Sequence, residues 1–181
     1  YPEQRFELTP MTTTGDRITD RTLAEIGGKG LFAKELDEAL TEGHIHIAVH
    51  SAKDLESFLN KNIDIVSVLE RENNSDVFIG ASARRFGDLP RGALLGTSSA
   101  RRAAQALYLR PDLRITPLRG NVPTRIEKIK RAETEGTFLA LAGLKRLGLE
   151  AEATEILNKR DFLPAACQGI IAITCRTEDA A

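Results

Sequence analysis

Leu94-Leu95-Gly96-Thr97-Ser98-Ser99-Ala100-Arg101-Arg102 passes from an apolar pair, through a glycine and three hydroxyl residues, into a helix-forming stretch. The pattern predicts a brief strand, a tight turn and a helix from about Ala100 to Leu109. Pro111 ends that helix, because proline lacks an N–H and clashes with the preceding turn. The arrangement recurs downstream. Ile115 to Leu118 reads as a strand feeding Arg119-Gly120-Asn121, with a helix to about Arg131. Phe138 to Ala142 reads as a strand feeding Gly143-Leu144-Lys145-Arg146. Three strand-to-turn units, each with glycine and a cation in the turn, imply an α/β fold.

Outward from this core, Ile45 to Val49 and Ile63 to Leu69 are apolar runs of strand length, and Arg5 to Met11 is expected to be a strand ending in the polar loop Thr12-Thr13-Thr14-Gly15-Asp16. Phe32, Leu36, Ala39 and Leu40 recur at helical spacing. Glu70-Arg71-Glu72-Asn73-Asn74-Ser75-Asp76 is a charged, polar break suited to a crossing between domains. The last apolar run, Ile170 to Cys175, is expected to return to the first sheet. The organisation expected is therefore residues 1–70 with the return strand 170–181 in one domain, and 71–169 in a second. Opening on a strand-like segment and closing soon after another, the chain reads as part of a longer protein.

The 181 residues suffice for one sizeable domain or two small ones, and 41% hydrophobic with 28% charged residues is ordinary for a globular protein. No run approaches the roughly 18 apolar residues of a membrane helix, and the first residues lack an export-signal pattern, so a cytoplasmic protein without membrane partners is expected. Two cysteines make no disulfide framework. Cys175, in an apolar run, reads as a buried small hydrophobe, whereas Cys167 lies in a turn and reads as more exposed. His44, His46 and His50 share one strand face by parity, but alternate strand residues stand roughly 7 Å apart, so no metal is expected.

The net charge of -1 hides an uneven distribution. Between Gly96 and Arg131 stand nine Lys or Arg residues against two acidic ones, Asp112 and Glu127. With only Tyr108 there for base stacking, the tract suits a compact anion better than nucleic acid. In the turn Thr97-Ser98-Ser99, free N–H groups and the positive helix end favour an anion, and Arg101 and Arg102 add bidentate donors. The plainer possibility is a serine N-cap followed by solvent-facing arginines. The anion site is preferred, because two cations at that helix end oppose the dipole unless an anion offsets them. Arg119 with Arg125 form a second cationic turn, and Lys145-Arg146 a third; Lys128, Lys130 and Arg131 read as an ordinary solvated face. Gly27-Gly28-Lys29-Gly30 lacks phosphate-loop spacing and is better read as a loop presenting Lys29 to a carboxylate. His50-Ser51-Ala52-Lys53-Asp54 places Lys53 and Asp54 at a strand's carboxyl end, where open α/β sheets take ligands. Asp54 could equally cap its turn.

Taken together, Gly-Gly-Lys-Gly-Leu-Phe (27–32), Lys-Glu-Leu (34–36), Ala-Val-His-Ser-Ala-Lys-Asp (48–54) and Gly-Thr-Ser-Ser-Ala-Arg-Arg (96–102) resemble one family closely. Leu-Arg-Gly-Asn-Val-x-Thr-Arg (118–125), Ala-Gly-Leu-Lys-Arg-Leu-Gly (142–148) and Leu-Pro-Ala-x-x-Gln-Gly (163–169) complete the set. The family is hydroxymethylbilane synthase, also called porphobilinogen deaminase. The resemblance implies two domains like periplasmic binding proteins with a cleft between them, and a third, α+β domain that this chain lacks. It implies condensation of four porphobilinogen molecules with loss of ammonia, a covalent dipyrromethane cofactor and a monomer. By position, Asp54 matches the catalytic aspartate, which assists proton transfer and steadies a cationic intermediate. Lys29, Lys53, Arg101, Arg102, Arg119, Arg125 and Arg146 match cationic positions that hold cofactor and substrate carboxylates. Thr97, Ser98, Ser99 and Gln168 match polar positions of the same cleft. Neither Cys167 nor Cys175 matches the cysteine that carries the cofactor. Cys167 replaces a position that is usually glycine, and Glu56 one that is usually proline. A non-catalytic two-lobed anion-binding protein of the same fold is the alternative.

Overall fold

The computed structural model describes residues 3–17 and 30–179. Two sheets share these residues. The first holds β1 (Ile47–Ser51), β2 (Ile63–Val68) and β8 (Ile171–Arg176) in the order β1-β8-β2, all antiparallel. The final strand thus runs up the centre of the first sheet, with Ala172 opposite His50 on one side and Val68 on the other. Helix α2 (Lys34–Thr41) follows a short helical turn, α1 (Thr14–Arg17). It packs Leu40 with Ala48 and Ile63 into a small core, and Leu36 lies against them. Its other face carries the exposed Lys34–Glu38 pair, so the apolar stripe alone decides which side is buried.

The second sheet orders its strands β5-β4-β6-β3-β7: β3 (Asp76–Gly80), β4 (Leu94–Gly96), β5 (Arg114–Thr116), β6 (Gly136–Ala140) and β7 (Glu155–Ile156). β4 lies parallel to β5 and β6, whereas β3 runs antiparallel to β6 and β7. Both faces are covered. Phe78, Leu95, Phe138 and Phe162 fill one core, with the Phe138 and Phe162 ring centroids 4.6 Å apart. Val77, Ile79, Leu139 and Leu144 fill the other, against Ile126 and Ile129 of helix α4 (Val122–Lys130). Successive strand residues point to opposite faces, which is why Val77-Phe78-Ile79 and Phe138-Leu139 are apolar without alternation.

Helix α3 (Ala100–Leu109) has the bounds that its sequence predicts, with Ser99 as N-cap. Asn121 caps α4 by accepting from the Thr124 amide, and proline in the first turn lacks only an N–H that would be unsatisfied there. Two expectations fail. No strand forms at Arg5–Met11; the segment has no regular element, and Phe6 and Leu8 are exposed. A strand requires a partner for its amides, and neither sheet receives this segment. After β6, the chain enters helix α5 (Leu141–Arg146) at once, so Gly143-Leu144-Lys145-Arg146 is helical rather than a turn.

The chain crosses between the sheets at 69–75 and again before β8, and the two crossings are tied together. The Glu72 amide donates to Gly169 O at 3.1 Å, Arg71 Nε to Gln168 O at 3.0 Å, and Gln168 Nε2 to Asn74 O at 2.8 Å.

Candidate anion site between the sheets

Lys53 and Asp54 lie in a short 3-10 turn, Ala52–Asp54, at the carboxyl end of β1, where the sequence places them. The turn is held by the Ala52 amide donating to Ile170 O at 3.0 Å. Asp54 is exposed and Lys53 half-buried. Burial holds the Lys53 ammonium below the ordinary lysine range; Arg102 and Arg101 lower it further, while Asp54 and Asp76 oppose the fall. A lysine of the first sheet's turn therefore senses three charged groups of the second sheet.

Arg125, on α4, enters the same field. Burial, then Arg102 and Arg119, push its guanidinium down to about 10, and Asp54 opposes them. It remains charged at neutral pH. Its Nε donates to Gly120 O at 2.6 Å, which fixes the side chain across its own turn. Arg119 is buried and donates to Gly15 O at 2.8 Å, joining the second sheet to the N-terminal segment. Arg119, Asn121, Thr124 and Arg125 face Gly15 and Phe32 across a cavity of about 430 Å³.

Arg101 and Arg102 are not the solvent-facing pair of the plainer sequence reading. Both bind Asp76, the first residue of β3, which is fully buried. Arg101 Nη1 reaches Oδ2 at 2.7 Å and also donates to Leu163 O. Arg102 donates to Oδ1 through Nε at 3.2 Å and Nη2 at 2.6 Å, and to Phe138 O through Nη1 at 2.9 Å. Burial alone would raise the Asp76 pKa, yet the charges and hydrogen bonds of the two arginines hold it below the usual carboxylate range. Sequence reasoning missed Asp76, which stands at the end of a polar break with no local signal of burial.

The hydroxyls of the first turn serve the backbone. Thr97 is buried and its Oγ1 accepts from the Ser99 amide at 3.2 Å; Ser99 caps α3 by accepting from the Arg102 amide. Ser98 Oγ donates to Leu118 O at 3.3 Å, tying this turn to the one that carries Arg119. Gln168, almost wholly buried, donates to Asp76 Oδ1 at 3.0 Å as well as to Asn74 O. Arg146 is exposed on α5 and donates to Gly169 O at 2.7 Å, so here it braces the crossing. Lys29 lies outside the described residues. Among those described, no group of three His, Cys, Asp or Glu could hold a metal. His50 pairs with Thr174 Oγ1 at 3.0 Å, and His44 with Glu42 at 3.3 Å. No helix among the described residues is long and apolar enough to cross a membrane.

Comparison with known folds gives a consistent picture. The chain superposes on lipoprotein Tp32 of Treponema pallidum with a TM-score of 0.56 at 12% identity, covering 81% of this chain and 70% of that one. For a periplasmic substrate-binding protein of an ABC transporter from Coxiella burnetii the TM-score is 0.51 at 14% identity, over 80% and 69%. These likenesses establish the fold, α/β with two lobes like those of periplasmic binding proteins. In sequence, the chain is 51% identical over 176 residues to the porphobilinogen deaminase of Nitrobacter winogradskyi, covering 97% of this chain and 56% of that protein. The chain thus spans about half the length of that relative. The family model described as "Porphobilinogen deaminase, dipyromethane cofactor binding domain" matches residues 2–181. The lobed fold and these matches agree: the chain belongs to the porphobilinogen deaminase family, in its dipyrromethane cofactor-binding domain.

Proposed function

We propose that the protein containing this chain is a hydroxymethylbilane synthase, joining four porphobilinogen molecules head to tail with loss of ammonia and releasing the linear tetrapyrrole by hydrolysis. The observation that supports this reading is that charges of the two halves act on one another: Arg102 and Arg101 lower Lys53, and Asp54 supports Arg125, which lines a cavity with Arg119. Each pyrrole unit bears an acetate and a propionate. Burial and neighbouring cations hold Lys53 and Arg125 below their ordinary values, and bound carboxylates offset that penalty, so the residues present fit a dipyrromethane. When bound, that group supplies the pyrrole end onto which substrate units are joined.

The chain's own residues then divide the work. Arg101, Arg119, Arg125 and Lys53 bind carboxylates and fix the pyrrole rings, which converts encounter into alignment. Asp54, the exposed carboxylate among them, takes the proton transfers at the substrate amine and the pyrrole nitrogen. It also offsets the positive charge left on the methylene-pyrrole unit as ammonia departs. Preorganised charge at that point stabilises the transition state more than the ground state.

In this reading residues 1–70 with 170–181 form one domain and 71–169 the other, and the protein is a cytoplasmic monomer. The cofactor is attached through a cysteine matched by neither Cys167, in an exposed turn, nor Cys175, whose Sγ donates to Arg176 O from a buried strand. The 181-residue segment alone is accordingly expected to be inactive and to show no covalent pyrrole mass in intact mass spectrometry.

The deciding experiment uses full-length protein and porphobilinogen. Asp54→Asn is expected to lower kcat by a factor of about 100 or more, typical for loss of a charge-stabilising group, with substrate affinity changed only a few-fold. Unaltered turnover by this variant would refute the role.

A further inference from the structure

We propose that Asp76 is a positioning residue of the anion site, holding Arg101 and Arg102 in place and tying them to both crossings between the sheets. The inference rests on the functional reading above and adds a residue to it. Asp76 uses both carboxylate oxygens on different partners: Oδ2 accepts from Arg101, while Oδ1 accepts from Arg102 and from Gln168. Gln168 belongs to the second crossing, and Asp76 itself ends the first. One buried carboxylate therefore joins the helix that carries the arginines to both covalent links between the sheets.

The consequence for the two arginines differs. All three guanidinium nitrogens of Arg102 are engaged by Asp76 and Phe138 O, and the residue is buried. Among the described residues Arg101 is engaged through Nη1 alone, and it stays partly exposed, which leaves Nε and Nη2 as a bidentate fork for a ligand carboxylate. Asp76 fixes the direction of that fork. It also supplies a negative charge beneath two adjacent cations at a helix N-terminus, where the dipole disfavours them.

An amide at position 76 has one acceptor oxygen, so it cannot serve both sides; its NH2 would confront either Arg101 or the Arg102–Gln168 pair. The test is a double-mutant cycle in the full-length protein with Asp76→Asn, Arg101→Gln and both together, assayed with porphobilinogen. Because Arg101 grips a carboxylate remote from the reacting atoms, Asp76→Asn is expected to raise KM tenfold or more with kcat within threefold. If Asp76 acts through Arg101, the double variant has a KM within twofold of Arg101→Gln alone. Multiplying single effects, or a KM for Asp76→Asn within twofold of wild type, overturns the proposal. Should Asp76→Asn fail to fold, Asp76→Glu keeps charge and both acceptors but displaces them by one methylene. It is expected to raise KM with the same non-additivity, and unchanged KM overturns the proposal. A wild-type protein that does not turn over porphobilinogen refutes the functional reading instead. The cycle is then read in porphobilinogen affinity by calorimetry, where additivity or absence of binding overturns the role of Asp76.

Discussion

Asp54 and Arg125 belong to opposite halves of the fold, yet the carboxylate after β1 supports the charge of the guanidinium on α4. Without it, burial and the neighbouring Arg102 and Arg119 would push Arg125 lower still. Among the described residues, cations therefore outnumber carboxylates around Arg125, whose charge Arg102 and Arg119 oppose and Asp54 supports. In the proposed function a polycarboxylate relieves that excess on binding, and Asp54 acts on a substrate that becomes cationic.

Lys53 shows what this arrangement costs. Burial, then Arg102, hold its pKa below the ordinary lysine value of 10.5. Between the folded pKa and that value the unfolded chain binds more protons, so stability rises with pH across the window. Below the folded pKa the ammonium is a net penalty in the folded protein. Lys53→Met is accordingly expected to raise the melting temperature at neutral pH, and to flatten stability against pH on the alkaline side. Loss of a charge-assisted hydrogen bond of roughly 1.5–3 kcal/mol should weaken porphobilinogen binding by a factor of about 10 to 150. A variant that melts lower than wild type at pH 7 would contradict this account.

Local chemistry explains which parts of the structure were legible in the sequence. Ser99, Asn121 and Pro111 act within a few residues of the helix ends they define, so the bounds of α3 and the start of α4 could be read directly. The return of β8 to the first sheet followed from an apolar run placed after the second series of units. Arg5–Met11 was expected to be a strand, but among the described residues it joins neither sheet, and strand patterning cannot reveal that a partner is missing. Asp76 was invisible for the complementary reason. Its burial depends on arginines 25 and 26 positions away and on a glutamine 92 away, brought together only by the register of the second sheet. The site's cations were legible as residue types, but whether each faces a ligand or braces the backbone, as Arg146 does, is a tertiary fact.

Cys167 occupies left-handed backbone at φ +57, the conformation glycine adopts most freely, and its side chain is exposed. A residue with a Cβ pays roughly 1–2 kcal/mol there, and glycine gives back part of that through its unfolded-state entropy. Cys167→Gly is therefore expected to stabilise the protein by about 0.5–1 kcal/mol in urea denaturation, with an unchanged m-value. Destabilisation would show that the thiol makes a contact worth more than the backbone strain.

Gly169 is the tightest point of the crossing. Its φ is +91, and a Cβ there would stand 2.4 Å from the backbone oxygen of Glu72, an atom that cannot swing aside as a side chain can. The carbonyl of Gly169 also accepts from the Glu72 amide and from Arg146, so any shift that relieves the clash breaks both bonds. Gly169→Ala should cost about 3 kcal/mol, combining left-handed strain with overpacking. The damage is localised where the two sheets are coupled. Denaturation should therefore lose cooperativity, with the antiparallel sheet of β1, β8 and β2 melting before the second sheet, as resolved by hydrogen exchange of β8 against β3. A single sharp transition at the wild-type midpoint would mean that the crossings are not what couples the two halves.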